Sequence, residues 1–348
     1  MSLGPVMLDL GGVVLSPEDR EILQHPLVGG VILFSRNFEN PEQIAALIEE
    51  IHQVRQPKLL VAVDHEGGRV QRFRNGFTRL PAVRQIGERY QGHPQSAKKL
   101  AETAGWLMAV ELRSVGVDFS FAPVLDLDYG NSEVIGDRAW HRNPQAVADL
   151  AHSYMMGMQS AGMPATGKHF PGHGWSAADS HVAMPVDERR YEDIYPDDVL
   201  PFERMIDYGM AAVMPAHVVY SRCDSQPAGF SRFWLQEVLR RRLHFQGVIF
   251  SDDLNMVGAG VAGSYLERAN AALDAGCDML LVCNNRPAAL EVLSQLDDRN
   301  DAVSHSRLAR MHGRHPVTRS KLLRDPQWKL AVATMAKLHD DDEMLLDI

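Results

Sequence analysis

The sequence predicts an α/β fold, a (β/α)8 TIM-type barrel with a C-terminal helical extension. Two observations carry this expectation. Eight short apolar runs recur along the chain, and stretches of helical periodicity lie between them. The runs are continuously apolar rather than alternating, as strands covered on both faces of a parallel sheet must be. A doubly wound open sheet is the competing architecture, but no G-x-G-x-x-G follows the first run.

The expected strands are Val6–Leu10, Gly30–Phe34, Leu59–Asp64, Phe119–Asp126, Ala165–His169, Ala211–His217, Val248–Asp252 and Met279–Cys283. The expected helices are Pro41–Gln53, Ala97–Val115, Pro144–Ala161, Tyr191–Tyr208, Arg232–Leu243, Tyr265–Ala275 and Pro287–Leu296. Asn40-Pro41 and Asn143-Pro144 place proline at the first helical position, where its missing N–H costs nothing. Ser-Val-Gly, Ser-Ala-Gly and Asp-Ala-Gly supply the glycine expected just past a helix end. After residue 300 the alternation stops, and His305–Leu323 and Pro326–Lys337 read as added helices ahead of a frayed or loosely docked acidic tail. The expected organisation is a catalytic barrel over 1–300 and a helical extension packed on it over 301–348.

A chain of 348 residues suits one large barrel with extensions. Its net charge of −10, with no basic stripe, disfavours nucleic acid and anionic membranes as partners. Cys223, Cys277 and Cys283 are odd in number, and the last two lie in apolar runs, as free thiols in a reducing compartment do. The first residues lack the basic and apolar regions of a signal peptide, and no apolar run approaches the ~20 residues of a membrane span. A cytoplasmic protein is expected, with its oligomeric state open and a monomer as the default.

The chemistry concentrates in Lys168-His-Phe-Pro-Gly-His-Gly174 and the Asp179-Ser-His181 that follows. Prolines and glycines keep this run irregular, and loops on a rigid rim are where chemistry usually sits. An aspartate two residues from a histidine can orient the imidazole and stabilise its charged form. His181 is therefore expected to move protons, with Asp179 as its partner. His169, His173 and His181 also raise a metal reading, but Pro-Gly separates the first two and no helix presents them together. No metal and no cofactor are expected.

The remaining polar residues gather where a barrel presents its reactive groups, at the C-terminal ends of the strands. Asp64, Asp126, Lys168, His169, His217, Asp252 and Asp253, Asn284 and Asn285 end successive runs, and Arg138 follows one of them. Such a mouth suits a polyhydroxylated ligand: carboxylates accept from sugar hydroxyls, and Lys and Arg donate to them. Retaining glycoside hydrolysis needs a carboxylate nucleophile, which Asp252 or Asp253 can supply, and a proton donor, which the loop pair can supply.

Six motifs make this specific. Val63-Asp-His-Glu-Gly-Gly-Arg-Val-Gln-Arg72, Phe121-Ala-Pro-Val-Leu-Asp126, Val134-Ile-Gly-Asp-Arg138, Lys168-His-Phe-Pro-Gly-His-Gly174, Asp179-Ser-His181 and Phe250-Ser-Asp-Asp-Leu254 together resemble the NagZ-type β-N-acetylglucosaminidases of glycoside hydrolase family 3. The resemblance covers about residues 5–295. It implies a cytoplasmic enzyme of peptidoglycan recycling that removes non-reducing N-acetylglucosamine from 1,6-anhydro-N-acetylmuramic acid, with or without the stem peptide. It further implies Asp252 as nucleophile, His181 as proton donor and acceptor, Asp179 as dyad partner, and Asp64, Arg72, Arg138, Lys168 and His169 as sugar-binding residues. Asp253 is the structural twin, and Glu66, His173 and His217 take supporting roles. His65 stands where the family pattern has glutamine, and it is expected to point away from the sugar. A phosphorylase and a non-catalytic sugar sensor are the alternatives.

Overall fold

The computed structural model describes residues 2–176 and 184–346, with side chains through 338. Eight parallel strands form the barrel: β1 Val6–Asp9, β2 Val28–Leu33, β3 Leu60–Val63, β4 Phe119–Ser120, β5 Thr166–Phe170, β6 Ala212–Pro215, β7 Val248–Asp253 and β8 Met279–Val282. Their spatial order is β4-β3-β2-β1-β8-β7-β6-β5. No full ladder joins β4 to β5. That seam closes through the chain just beyond β4: Thr166 N–H donates to Ala122 O at 2.8 Å, Lys168 N–H to Pro123 O at 3.3 Å and Leu125 N–H to Lys168 O at 2.7 Å. All eight expected strands are present, and the fourth is shorter than expected because residues after Ser120 turn irregular to make this closure.

The helices α1 Pro17–Leu23, α2 Pro41–Gln53, α3 Val83–Glu88, α4 Pro94–Arg113, α5 Pro144–Ser160, α6 Tyr191–Ile194, α7 Leu200–Asp207, α8 Tyr265–Ala275 and α9 Arg286–Gln295 surround the strands. The expected caps are in place. The side chains of Asn40 and Asn143 accept from the N–H groups of Gln43 and Ala146, satisfying donors that the first helical turn leaves unpaired. Tyr191–Tyr208 is not one regular helix: a π-helical turn, Tyr195–Val199, joins α6 to α7, and Phe233–Arg242 is π-helical throughout. The periodicity of a sequence cannot distinguish these wider turns from α-helix, because both bury one apolar face.

Aromatic rings fill the barrel interior. Phe119, Phe121 and Phe250 are fully buried, and Phe121 meets Phe250 edge to face with centroids 5.3 Å apart. Beyond the barrel lie α10 Ala302–Ala309, α11 Arg319–Leu322 and α12 Pro326–Leu346. The single helix expected over His305–Leu323 is thus broken, and the break holds Gly313 and Pro316. The backbone of the acidic tail continues α12 to Leu346 rather than fraying. Both α11 and α12 pack on α4, where the Trp328 indole donates to the buried Glu111 carboxylate at 2.8 Å.

Candidate active site

The C-terminal ends of the strands open into a cavity of about 470 Å3. Asp64, Arg72, Arg138, Lys168, His169 and Asp252 all line it, so six of the eight residues singled out in the sequence converge on one mouth. The other two, Asp179 and His181, lie outside the described residues. Pairing is irregular at two of the strand ends concerned, between Lys168 and Phe170 in β5 and between Phe250 and Asp253 in β7. Such irregularities re-aim side chains at a barrel rim.

A buried ion cluster sets the cationic wall. The Glu66 carboxylate accepts two bonds from the Arg138 guanidinium, from Nε and Nη2, each at 2.8 Å, and lies 2.6 Å from Lys168 Nζ. Lys168 also donates to Asp64 at 2.8 Å, and Arg72 stands 3.9 Å from the other Asp64 oxygen. Burial opposes ionisation of Glu66, but Arg138 and Lys168 outweigh it and hold the carboxyl well below its ordinary range. Burial likewise opposes the charge on Lys168, and Asp64 and Glu66 overcome it and raise its pKa. These cations therefore stay charged with their positions fixed, and hydroxyls of a ligand entering the mouth meet oriented donors and acceptors.

Asp126, fully buried, organises the start of the His-rich loop. One oxygen accepts from the backbone N–H groups of His169 at 3.1 Å and His173 at 2.7 Å, and the other lies 2.7 Å from His169 Nδ1. Burial raises the Asp126 pKa, but His169, His173 and these bonds lower it overall. An ionised Asp126 accepts from Nδ1–H and leaves Nε2 as the ring nitrogen free for a ligand.

The adjacent aspartates differ as their surroundings dictate. Burial opposes the charge on Asp252, but His169, His217, the Asp253 N–H at 2.8 Å and Lys168 lower its pKa, so the carboxylate is ionised and faces the mouth. Asp253 accepts from the N–H groups of Asn255 at 3.0 Å and Cys283 at 3.1 Å. Burial, with the charges of Asp252 and Asp9, pushes it up to about 7. It is a turn-holding acceptor rather than a free anion.

The neighbouring histidines serve the frame. The His65 ring packs against Phe73 and Phe77, 6.0 Å from each centroid, away from the mouth, and burial lowers its pKa to about 3. His217 is fully buried with Nε2 3.2 Å from the Asp253 carbonyl oxygen. On either side of 177–183, Arg189 ties several elements together. It is bonded to Asp187 at 2.6 Å and to Asp198 at 2.8 Å, and its guanidinium stacks 4.5 Å from the Trp175 ring and 5.2 Å from that of Tyr129. Burial lifts the Asp198 carboxyl to about 6 despite Arg189. Gly172 permits the approach, since a Cβ there would lie 2.6 Å from an Asp198 oxygen.

Residues 7–313 match the glycosyl hydrolase family 3 N-terminal domain. The chain belongs to that family. It is a hydrolase of glycosidic bonds. It is 61% identical, over the full length of both chains, to a β-hexosaminidase of Thioalkalivibrio sulfidiphilus. Among solved structures, NagZ from Neisseria gonorrhoeae in complex with N-trifluoroacetyl-D-glucosamine superposes with a TM-score of 0.92 at 44% identity, covering 97% of this chain and 98% of that one. The same relative in complex with zinc gives 0.91 at 43% identity, with the same coverage.

Two residues that the sequence named without giving them this importance prove central. Glu66 was a supporting group, and Asp126 marked a strand end without a role. A carboxylate closing an apolar run was the signal for Asp126; for Glu66 the signal lay in its Gly-Gly-Arg setting. Met214 also lines the mouth, and nothing polar marks it in the sequence.

Proposed function

We propose that this family member is a retaining exo-β-N-acetylglucosaminidase that releases non-reducing N-acetylglucosamine from 1,6-anhydro-N-acetylmuramic acid, with or without the stem peptide, in cytoplasmic peptidoglycan recycling. The observation that carries the reading is the ionised Asp252 carboxylate beside the Lys168–Glu66–Arg138 cluster in one mouth. The names of the relatives and the amino-sugar derivative bound in one of them support the substrate class. Among the described residues no helix is long and apolar enough to cross a membrane.

In this reading Asp252 attacks the anomeric carbon while His181 protonates the departing oxygen; water then cleaves the glycosyl-aspartate with His181 as base. Asp179 orients the His181 ring. Asp64, Arg72, Arg138, Lys168 and His169 hold the sugar hydroxyls. Residues 1–300 are the catalytic unit and 301–348 an extension packed on it. Trapping with a 2-fluoro amino sugar and locating the adduct by mass tests the assignment. A label on Asp252 is expected, and a label on Asp253 overturns it. Turnover that requires added phosphate identifies a phosphorylase instead.

A further inference from the structure

A second cavity, about 590 Å3 in volume, lies at the opposite end of the barrel from the mouth. Its walls are the turns that lead into β5, β6 and β7, together with the chain that follows α10. In an acidic protein, with 45 Asp and Glu against 35 Lys and Arg, no Asp or Glu lines it among the described residues. Arg307, Arg310, Arg314, His244, His312 and His315 do.

Two of these groups are engaged: Arg307 donates to Asp278 at 3.0 Å, and His312 Nδ1 lies 3.7 Å from Asp118. Arg310 spends only its Nε, on the Ser306 carbonyl at 3.3 Å, and the Arg314 side chain has no hydrogen-bond or ion-pair partner among the described residues. The backbone under these cations is fixed. Arg314 N–H donates to Gly162 O at 2.7 Å, and Gly162 sits at φ +79°, where a Cβ would come within 2.2 Å of the Arg314 carbonyl oxygen. His244 and His315 both adopt the left-handed region, at φ 54° and 52°. Met163, Met210 and Phe245, all buried, supply an apolar wall beside the cations.

We propose that this floor cleft is a binding site for a small organic phosphate: the free arginine forks take the phosphate oxygens and the apolar wall takes the organic body. Planar guanidinium groups match phosphate in two-pronged geometry, and the nearest carboxylates, Asp278 and Asp118, lie behind the lining and are paired with Arg307 and His312 rather than with Arg310 or Arg314. The site is independent of the glycosidase reaction.

Calorimetric titration of the full chain with adenosine monophosphate, adenosine and inorganic phosphate tests it. Adenosine monophosphate is expected to bind saturably, with a stoichiometry of one, and more tightly than either other probe. The Arg310→Gln/Arg314→Gln variant is expected to lose about tenfold or more in affinity while keeping aryl-glycoside turnover, which also reports that it is folded. N-acetylglucosamine is not expected to compete. Absence of binding up to about 10 mM, unchanged affinity in the double variant, or competition by N-acetylglucosamine overturns the site. Inorganic phosphate binding as tightly as adenosine monophosphate overturns the organic component.

Discussion

Replacing Glu66 with glutamine probes the buried cluster with almost no change of volume. The carboxylate makes three charge-assisted contacts, two at 2.8 Å to Arg138 and one at 2.6 Å to Lys168, and its side chain is 6% exposed. Glutamine keeps one acceptor oxygen and turns an amide N–H2 toward cations that need acceptors. Breaking a buried pair by neutralising one partner costs about 3–5 kcal/mol, and one retained hydrogen bond offsets about 1 kcal/mol, leaving a destabilisation of about 2–4 kcal/mol. Denaturant midpoints at constant slope measure it. The sign of the pH dependence follows from a carboxyl whose folded pKa lies below its unfolded value of 4.5. Its stabilisation is complete above the unfolded value and is lost as pH falls through the folded one. The gap between wild type and variant should therefore hold constant from about pH 8 to pH 5 and narrow only below about pH 4.5. Aryl-glycoside kcat/KM should fall about tenfold or more, because Arg138 and Lys168 are no longer held. A gap under about 0.5 kcal/mol, or one that closes between about pH 7 and 5, would refute the electrostatic account.

Asp252→Ala should abolish turnover even of activated aryl glycosides, whereas Asp253→Ala should lower activity in part and fold less well through the loss of acceptors for Asn255 and Cys283; stopped assays and unfolding curves separate the two. Because the Asp253 carboxyl is raised from 3.8 to about 7, its protonated form is favoured in the fold. Its contribution is complete below the unfolded value and declines as pH rises toward about 7, so Asp253→Asn should flatten that decline in a pH series of midpoints. His181→Ala should lose about 10²–10⁴-fold with a disaccharide and less in the glycosylation step with a nitrophenyl leaving group. Equal losses in that step for both leaving groups would remove His181 as proton donor. Dialysis against EDTA should leave activity unchanged, and a loss restored by zinc would bring back the metal reading of the histidines.

The barrel was legible because each strand is an apolar run long enough to be buried on both faces, and because Asn-Pro starts and glycine stops frame several of the helices. α1 and α3 were not, since each is too short to show a period. Asp64, Lys168, His169 and Asp252 could be read as a set because strand ends map onto one rim, with Arg138 following one of them, whereas Arg72 came only with the family resemblance. What the sequence could not show is pairing. That Glu66 grips Arg138 from 72 residues away, or that Asp126 accepts from one backbone N–H in β5 and one just past it, depends on which strands become neighbours. Asp253 reads like Asp252 until Cys283 and Asn255 are seen to occupy it.

The seam between β4 and β5 bears on how this enzyme fails. Elsewhere each strand is laced to its neighbours by a ladder, but here three backbone bonds between Ala122–Leu125 and Thr166–Lys168 complete the ring. Lys168, His169 and Asp126 flank that join. Short joins open more readily than long ladders, so amide protons at this seam, and at the two-residue β3–β4 and β6–β7 ladders, should exchange before those of the β1–β2 and β2–β3 ladders. Heat or denaturant should thus disturb the side of the mouth that holds Lys168 and Asp126 while most of the barrel still gives a native spectrum. Inactivation would then precede global unfolding.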